Sequence, residues 1–279
     1  MGKTVVLGCG YTGLRLAKAL REQGHPVTAT TTRSERLDAL SGVGVDPVVL
    51  DFGRPETVAA ALAGARRIIH LAPPTPGRVE AEVELLRQAA PDLEVLVYGS
   101  TTGAFGEQAG DQWVDEVSPP GPLGARGQLR ADYERALLQA GLPTKVVRIA
   151  GIYGPGRTLR EGLRDRSLVL FEGGPPTSRI HVDDLVRLLS AMNDPGAPAL
   201  VIGCDERPAT TLEVARYTAG LLNLELPTPL SLEEARRTMS PAALEMRLGG
   251  RRCRSLVRPN LIGPLRYPSY VEGVPASLD

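Results

Sequence analysis

Thr4-Val5-Val6-Leu7-Gly8-Cys9-Gly10-Tyr11-Thr12-Gly13-Leu14-Arg15-Leu16-Ala17-Lys18-Ala19-Leu20 joins an apolar β-branched run, a glycine-spaced turn and an amphipathic helical pattern. Gly8 permits a tight turn out of the strand, and Gly10 leaves no Cβ where a backbone must approach a ligand. Gly13 lets the helix pack close to the sheet. The free N–H groups and positive dipole end of that helix then face whatever occupies the turn. The stretch predicts a dinucleotide pyrophosphate site formed by Gly8, Gly10, Tyr11, Thr12 and Gly13, because the glycines follow a strand and precede a helix.

Next comes Pro26-Val27-Thr28-Ala29-Thr30-Thr31, a β-branched run that reads as a second strand, followed by the polar Thr32-Arg33-Ser34. A site selective for NAD places a carboxylate here for the ribose 2′-OH. Threonines and Arg33 occupy that place, and a guanidinium pairs bidentately with a 2′-phosphate, so the expected cofactor is NADP, with NAD the other possibility. Val48-Val49-Leu50, the helical segment Pro55 to Leu62, and Arg67-Ile68-Ile69-His70-Leu71-Ala72 repeat the alternation. Apolar strands separated by amphipathic helices predict a parallel sheet covered on both faces, a Rossmann-type doubly wound α/β fold. Its ligands bind beyond the carboxyl ends of the strands, where Asp51, Phe52, Leu71, Ala72 and Pro73 fall. Asp51 is placed to meet an adenine amino group or to close its own turn.

A helix over Arg78 to Ala89 leads to the strand Leu93 to Tyr98, and then to Gly99-Ser100-Thr101-Thr102-Gly103. Adjacent hydroxyls at a strand end are candidates for touching a substrate oxygen; the other reading is that they satisfy turn backbone. The long connection through Trp113 and the prolines Pro119, Pro120 and Pro122 shows no period. A helix over Gln128 to Ala140, a strand Thr144 to Ile149, the stretch Gly151 to Arg157, a helix opened by Asp183-Asp184, and a last strand Ala199 to Ile202 complete the pattern. His181 beside two aspartates lacks a full ligand set, and no metal is expected.

The 279 residues suit one large α/β domain with a small lobe. We expect residues 1–150 as a dinucleotide-binding core completed by 179–203, and 151–178 with 204–279 as a small C-terminal substrate lobe. Thirty-two basic and 32 acidic side chains cancel, so no nucleic-acid or membrane partner is indicated. Three scattered cysteines and no leader or long apolar segment point to the cytoplasm. Only Lys3, Lys18 and Lys145 are lysines.

Gly8 to Gly13, Asp51-Phe52, Ser100 to Gly106, Arg148 with Gly151 to Arg157, and Arg179 to Asp184 together resemble an extended short-chain dehydrogenase/reductase of the NAD-dependent epimerase/dehydratase family. Leu265 to Gly273 is similar to the ending of an atypical bacterial branch. The resemblance implies that Thr101 hydrogen-bonds the reacting oxygen, with Thr102, Arg126, Tyr153, Arg179 and His181 around the substrate. Active members carry Tyr-x-x-x-Lys after the long loop. Counted back from Glu134, those places hold Arg126 and Arg130, and Tyr133 is followed four residues later by Leu137. A guanidinium stays protonated at any working pH and cannot replace the phenol, though Arg130 can hold cofactor ribose or phosphate by charge. The implied function is an NAD(P)-dependent oxidoreductase or epimerase acting on a small polar substrate, with a sugar nucleotide as one candidate class. The alternative is a non-catalytic NADP(H)-binding redox-sensing or regulatory protein. The family commonly pairs two helices between copies. Val79, Val83 and Leu86 with Leu129, Tyr133, Leu137 and Leu138 offer the apolar positions for such a homodimer.

Overall fold

The computed structural model describes residues 2–42, 44–106, 112–121 and 123–278; Pro122 lies outside them. Seven strands form one sheet: β1 (Lys3–Leu7), β2 (Val27–Thr31), β3 (Asp46–Val49), β4 (Ala65–His70), β5 (Val95–Thr101), β6 (Thr144–Ile149) and β7 (Leu200–Gly203). Their order is β3-β2-β1-β4-β5-β6-β7 and every pairing is parallel. Between them run α1 (Tyr11–Glu22), α2 (Leu37–Ser41), α3 (Pro55–Leu62), α4 (Val79–Ala89), α5 (Ala125–Gln139), α6 (Arg160–Arg164) and α7 (Val182–Met192). The order reverses between β1 and β4, which opens a crevice at their carboxyl ends.

One apolar layer sets Leu16, Ala17 and Leu20 of α1 and Leu185, Leu188, Leu189 and Met192 of α7 against the sheet. The other sets Val58, Ala61 and Leu62 of α3, Val79, Val83 and Leu86 of α4, and Tyr133 and Leu137 of α5 against its opposite face. Each fully buried side chain of this size contributes about 1.5–3 kcal/mol, so both faces are strongly committed. The positions expected to pair two copies of the chain are therefore taken up inside one copy. Leu129 packs partly buried against the same layer, and of that set Leu138 stays exposed.

Three elements differ from the sequence reading. β5 continues through Ser100 and Thr101, because both pair in register with β6. α5 starts at Ala125, one turn early, where Gly127 packs on the Gly103 backbone; a Cβ there would stand 2.6 Å from the Gly103 oxygen. The long connection contains the short strand Trp113–Val114, paired with Arg252–Cys253. The chain after residue 251 also does more than build a lobe: Val257, Leu261 and Ile262 pack on the layer containing α1 and α7. Among the described residues, no helix is long and apolar enough to cross a membrane.

Candidate dinucleotide site

The turn after β1 has the geometry that its glycines predict. Gly8 has φ +86°, and a Cβ on it would lie 2.7 Å from the Ala72 nitrogen, so both conformation and space demand glycine. A Cβ on Gly13 would lie 2.5 Å from the Gly8 oxygen, which is the close helix–strand approach. Gly10 differs from both, with nothing within 4 Å of where a Cβ would stand. It faces open space and begins α1 without any side-chain cap. An uncapped helix start beside an open glycine presents unpaired N–H groups, the donor set that a pyrophosphate requires. The residues present fit a dinucleotide.

The neighbouring strand ends close round this turn. Cys9 N–H donates to the Thr30 carbonyl, and Gly8 N–H to Thr30 Oγ1 at 3.2 Å. Leu71 bridges from the turn to β5, lying against both Gly13 and Gly99, while Ala72 fills the space beside Gly8 and Pro73 is exposed. Tyr11 donates its hydroxyl to the Pro155 carbonyl at 3.1 Å, with the Arg15 guanidinium 4.0 Å over its ring, and so ties the turn to the loop after β6. Thr12 is buried in the first turn of α1. Burial pushes the Cys9 thiol up to about 11, leaving it an inert packing group.

At the end of β2, Thr32, Arg33 and Ser34 are exposed, and Arg33 N–H donates to Thr31 Oγ1. Arg36, which the sequence reading passed over, donates from Nη2 to the Cys9 carbonyl at 3.1 Å and brings a second guanidinium to the turn. Its sole sequence signal is its place three residues after Arg33. The Asp51 carboxylate accepts from Gly53 N–H at 2.8 Å and pairs with Arg54, which closes its own turn and holds the carboxyl below the usual range. Phe52 stacks on His70, with ring centroids 5.9 Å apart.

At the end of β5, Thr101 Oγ1 accepts the Gly103 N–H at 3.1 Å and so caps the 3₁₀ turn Thr102–Phe105. As a hydroxyl that accepts at this bond, it keeps its own proton to donate. Arg130 Nη1 donates to the Tyr98 hydroxyl at 3.1 Å and the Gly99 carbonyl at 3.2 Å, which fixes it beneath the crevice, and Arg126 is exposed in the first turn of α5. Ser100 Oγ donates to Glu134 at 2.5 Å and Arg148 pairs with the same carboxylate at 2.8 Å, so α5, β5 and β6 are cross-linked behind Thr101. Tyr133 is fully buried, with its hydroxyl 2.9 Å from His70 Nε2. Burial holds the His70 imidazole down at about 3, hence neutral, and raises the Tyr133 phenol. No lysine reaches the crevice: Lys3 donates to the Ala61 and Ala63 carbonyls, Lys145 to those of Pro195 and Ala197, and Lys18 pairs with Glu22 on the surface.

Tyr153, Arg179 and His181 lie together but use their polar atoms within the chain. Tyr153 donates to the Ser269 carbonyl at 3.0 Å, Arg179 to the Thr177 and Ala209 carbonyls, and His181 Nε2 meets Ser277 Oγ at 3.1 Å. Beside them the fully buried Asp184 accepts the N–H groups of Arg266 and Tyr267 and pairs with Arg187. Tyr153, His181 and Asp184 fasten the C-terminal segment onto the strand Gly151–Tyr153 and the start of α7, while Arg179 holds the Thr177 and Ala209 backbone.

Residues 8–186 match the NAD(P)H-binding family. The chain belongs to that family. Protein YeeZ of Escherichia coli K12 is 26% identical over 205 residues, covering 69% of this chain and 73% of YeeZ. A functionally unknown conserved protein from Silicibacter pomeroyi DSS shares 30% identity at TM-score 0.86, covering 99% of this chain and 98% of its own. The fold is also that of a UDP-glucuronic acid 4-epimerase variant from Bacillus cereus, solved with NAD and a fluorinated UDP-glucuronic acid. That protein is 18% identical at TM-score 0.77, with 99% and 97% of the chains covered. The family match supports a nicotinamide dinucleotide as the cofactor, and the glycine turn fits one.

Proposed function

We propose that this chain is an NADP(H)-dependent oxidoreductase or epimerase that acts on a small polar substrate without a tyrosine–lysine pair. The observation that carries the reading is the alignment of the open Gly10 turn, the Leu71 bridge and the Thr101 hydroxyl along the carboxyl ends of β1, β4 and β5. NADP(H), when bound, supplies a hydride acceptor or donor. Gly8, Gly10, Gly13 and the start of α1 hold its pyrophosphate, and Arg33 with Arg36 favours the form carrying a 2′-phosphate. Thr101 donates a hydrogen bond to a substrate oxygen, and exposed Arg126 offers a charge to an anionic group. A sugar nucleotide suits that cation, and the Bacillus cereus epimerase of the same fold was solved with one. The three cysteines are buried free thiols, which supports a reducing compartment, the cytoplasm.

One observation favours a second reading. The tyrosine of α5 is sealed against His70 and no phenol–lysine pair faces the crevice, as suits a non-catalytic protein that reports NADP/NADPH balance to a partner. Thr101→Ala separates the two. For the enzyme, NADPH affinity should hold while turnover in a carbonyl, alcohol and sugar-nucleotide screen falls by about 10²–10³, the effect of losing one positioned donor. A screen that leaves NADPH absorbance unchanged with cofactor-loaded protein, joined to partner binding that follows the NADP/NADPH ratio, would establish the sensor instead.

A further inference from the structure

A cavity of about 370 Å³ opens at the carboxyl end of β7, the edge strand. Three strands separate β7 from β1 in the sheet, which puts this edge roughly 19 Å from the glycine turn at ordinary strand spacing. Segments distant in sequence build it. β7 delivers Asp205 and Glu206, the short paired strands deliver Trp113 and Arg254, and Arg258 begins the helix Arg258–Ile262. The volume lies within the range that small-ligand pockets occupy.

The lining has unfilled polar capacity and unusual exposure. Arg258 is 4% exposed; its Nη2 donates to Glu206 at 3.2 Å, while Nε and Nη1 have no partner. Asp205, 2% exposed, likewise leaves Oδ2 unpartnered, although Oδ1 accepts the Arg179 N–H. Buried guanidinium N–H groups without an acceptor are costly, and where they persist something outside the chain commonly completes them. Glu206 is more than half exposed, so its carboxylate can leave Arg258 for water. Trp113 is 43% exposed at the cavity, and Arg254 stands beside it, paired with Asp115 yet largely solvent-accessible.

We propose that this cavity binds a compact aromatic anion, its ring against Trp113 and its carboxylate or phosphate on the Arg258 guanidinium in place of Glu206. Arg254 stands at the rim as a second cation. Such a ligand takes over the Nη2 bond of Arg258, covers the exposed indole and displaces an intramolecular pair that has an easy route to solvent. The site is separate from the dinucleotide crevice and does not depend on the reaction proposed there.

Trp113 is the sole tryptophan of the chain, so intrinsic fluorescence reports directly from the cavity. The full-length protein is titrated with benzoate, phenyl phosphate and benzyl alcohol, each with and without saturating NADP. A saturable fluorescence change with one or both anions, absent with benzyl alcohol and retained with NADP bound, is the expected result. The tighter of the two anions tells carboxylate from phosphate. Arg258→Gln should weaken binding at least about tenfold by removing a charge-assisted pair. Glu206→Gln should tighten it about threefold by removing the resident competitor, and that gain tests the idea even if Arg258→Gln fails to fold. The proposal is overturned by no saturable change with either anion, by an equal response to benzyl alcohol, by loss of the response when NADP saturates the crevice, or by weaker binding in Glu206→Gln.

Discussion

Around the glycine turn polar capacity is left open: Gly10 faces empty space, α1 starts uncapped, and Arg33 is exposed at the end of β2. Along the C-terminal segment the reverse holds. Tyr153, Arg179, His181 and Asp184 each find partners inside the chain, and Asp184 alone satisfies two backbone N–H groups and Arg187. Both regions are rich in residues able to bind a ligand, so residue type does not separate them. What separates them is whether donors and acceptors are already matched. The open region is where we propose that the cofactor is held, and the closed region is where the fold is fastened.

The sharpest way to break this contrast is Gly8→Ala. A side chain there must adopt a left-handed conformation and meet the Ala72 backbone, at a cost of about 4 kcal/mol. Thermal melting should fall steeply, and whatever folds should lose NADPH; unchanged melting would show that the turn is not held as described. Asp184→Ala tests the closed region. It should cost about 3 kcal/mol by stripping a fully buried acceptor from its donors. Hydrogen exchange should rise across residues 264–278, while NADPH affinity per folded molecule stays close to that of the unaltered chain. Loss of cofactor affinity without added exchange would place Asp184 in the binding site and erase the distinction.

Legibility in the sequence followed the same line. The β1 turn was readable because all its determinants lie between Gly8 and Gly13, and the parallel sheet because each strand carries its own apolar run. The closed seam was not readable, because Tyr153 meets Ser269 and His181 meets Ser277 across about a hundred residues, and local spacing carries no trace of such pairs. Trp113–Val114 was hidden for that reason too, being a two-residue strand whose partner is Arg252–Cys253. The apolar stripes of α4 and α5 were visible, yet a stripe does not say whether it faces the chain's own sheet or a second copy. Here Val83, Leu86, Tyr133 and Leu137 face the sheet.

A smaller effect probes the edge of the sheet, at the end of β7, through pH. Burial raises the Asp205 carboxyl to about 7, against roughly 3.9 for an exposed aspartate. Between those values the folded chain holds a proton that the unfolded chain has released. The stability from this group is therefore complete below about pH 4 and is lost as pH rises through 7. Asp205→Asn keeps an acceptor for the Arg179 N–H, so its melting temperature should gain on the unaltered chain as pH rises across that window. A constant difference would mean that Asp205 does not titrate there.

The open region is tested most directly by titrating NADPH and NADH into the unaltered chain and into Arg33→Ala by calorimetry. NADPH should bind the unaltered chain more tightly. Arg33→Ala should narrow the gap by about 1.5–3 kcal/mol, the worth of one charge-assisted pair to the 2′-phosphate. Equal affinities for the two cofactors in the unaltered chain would contradict the assignment of the β2 end as a phosphate site.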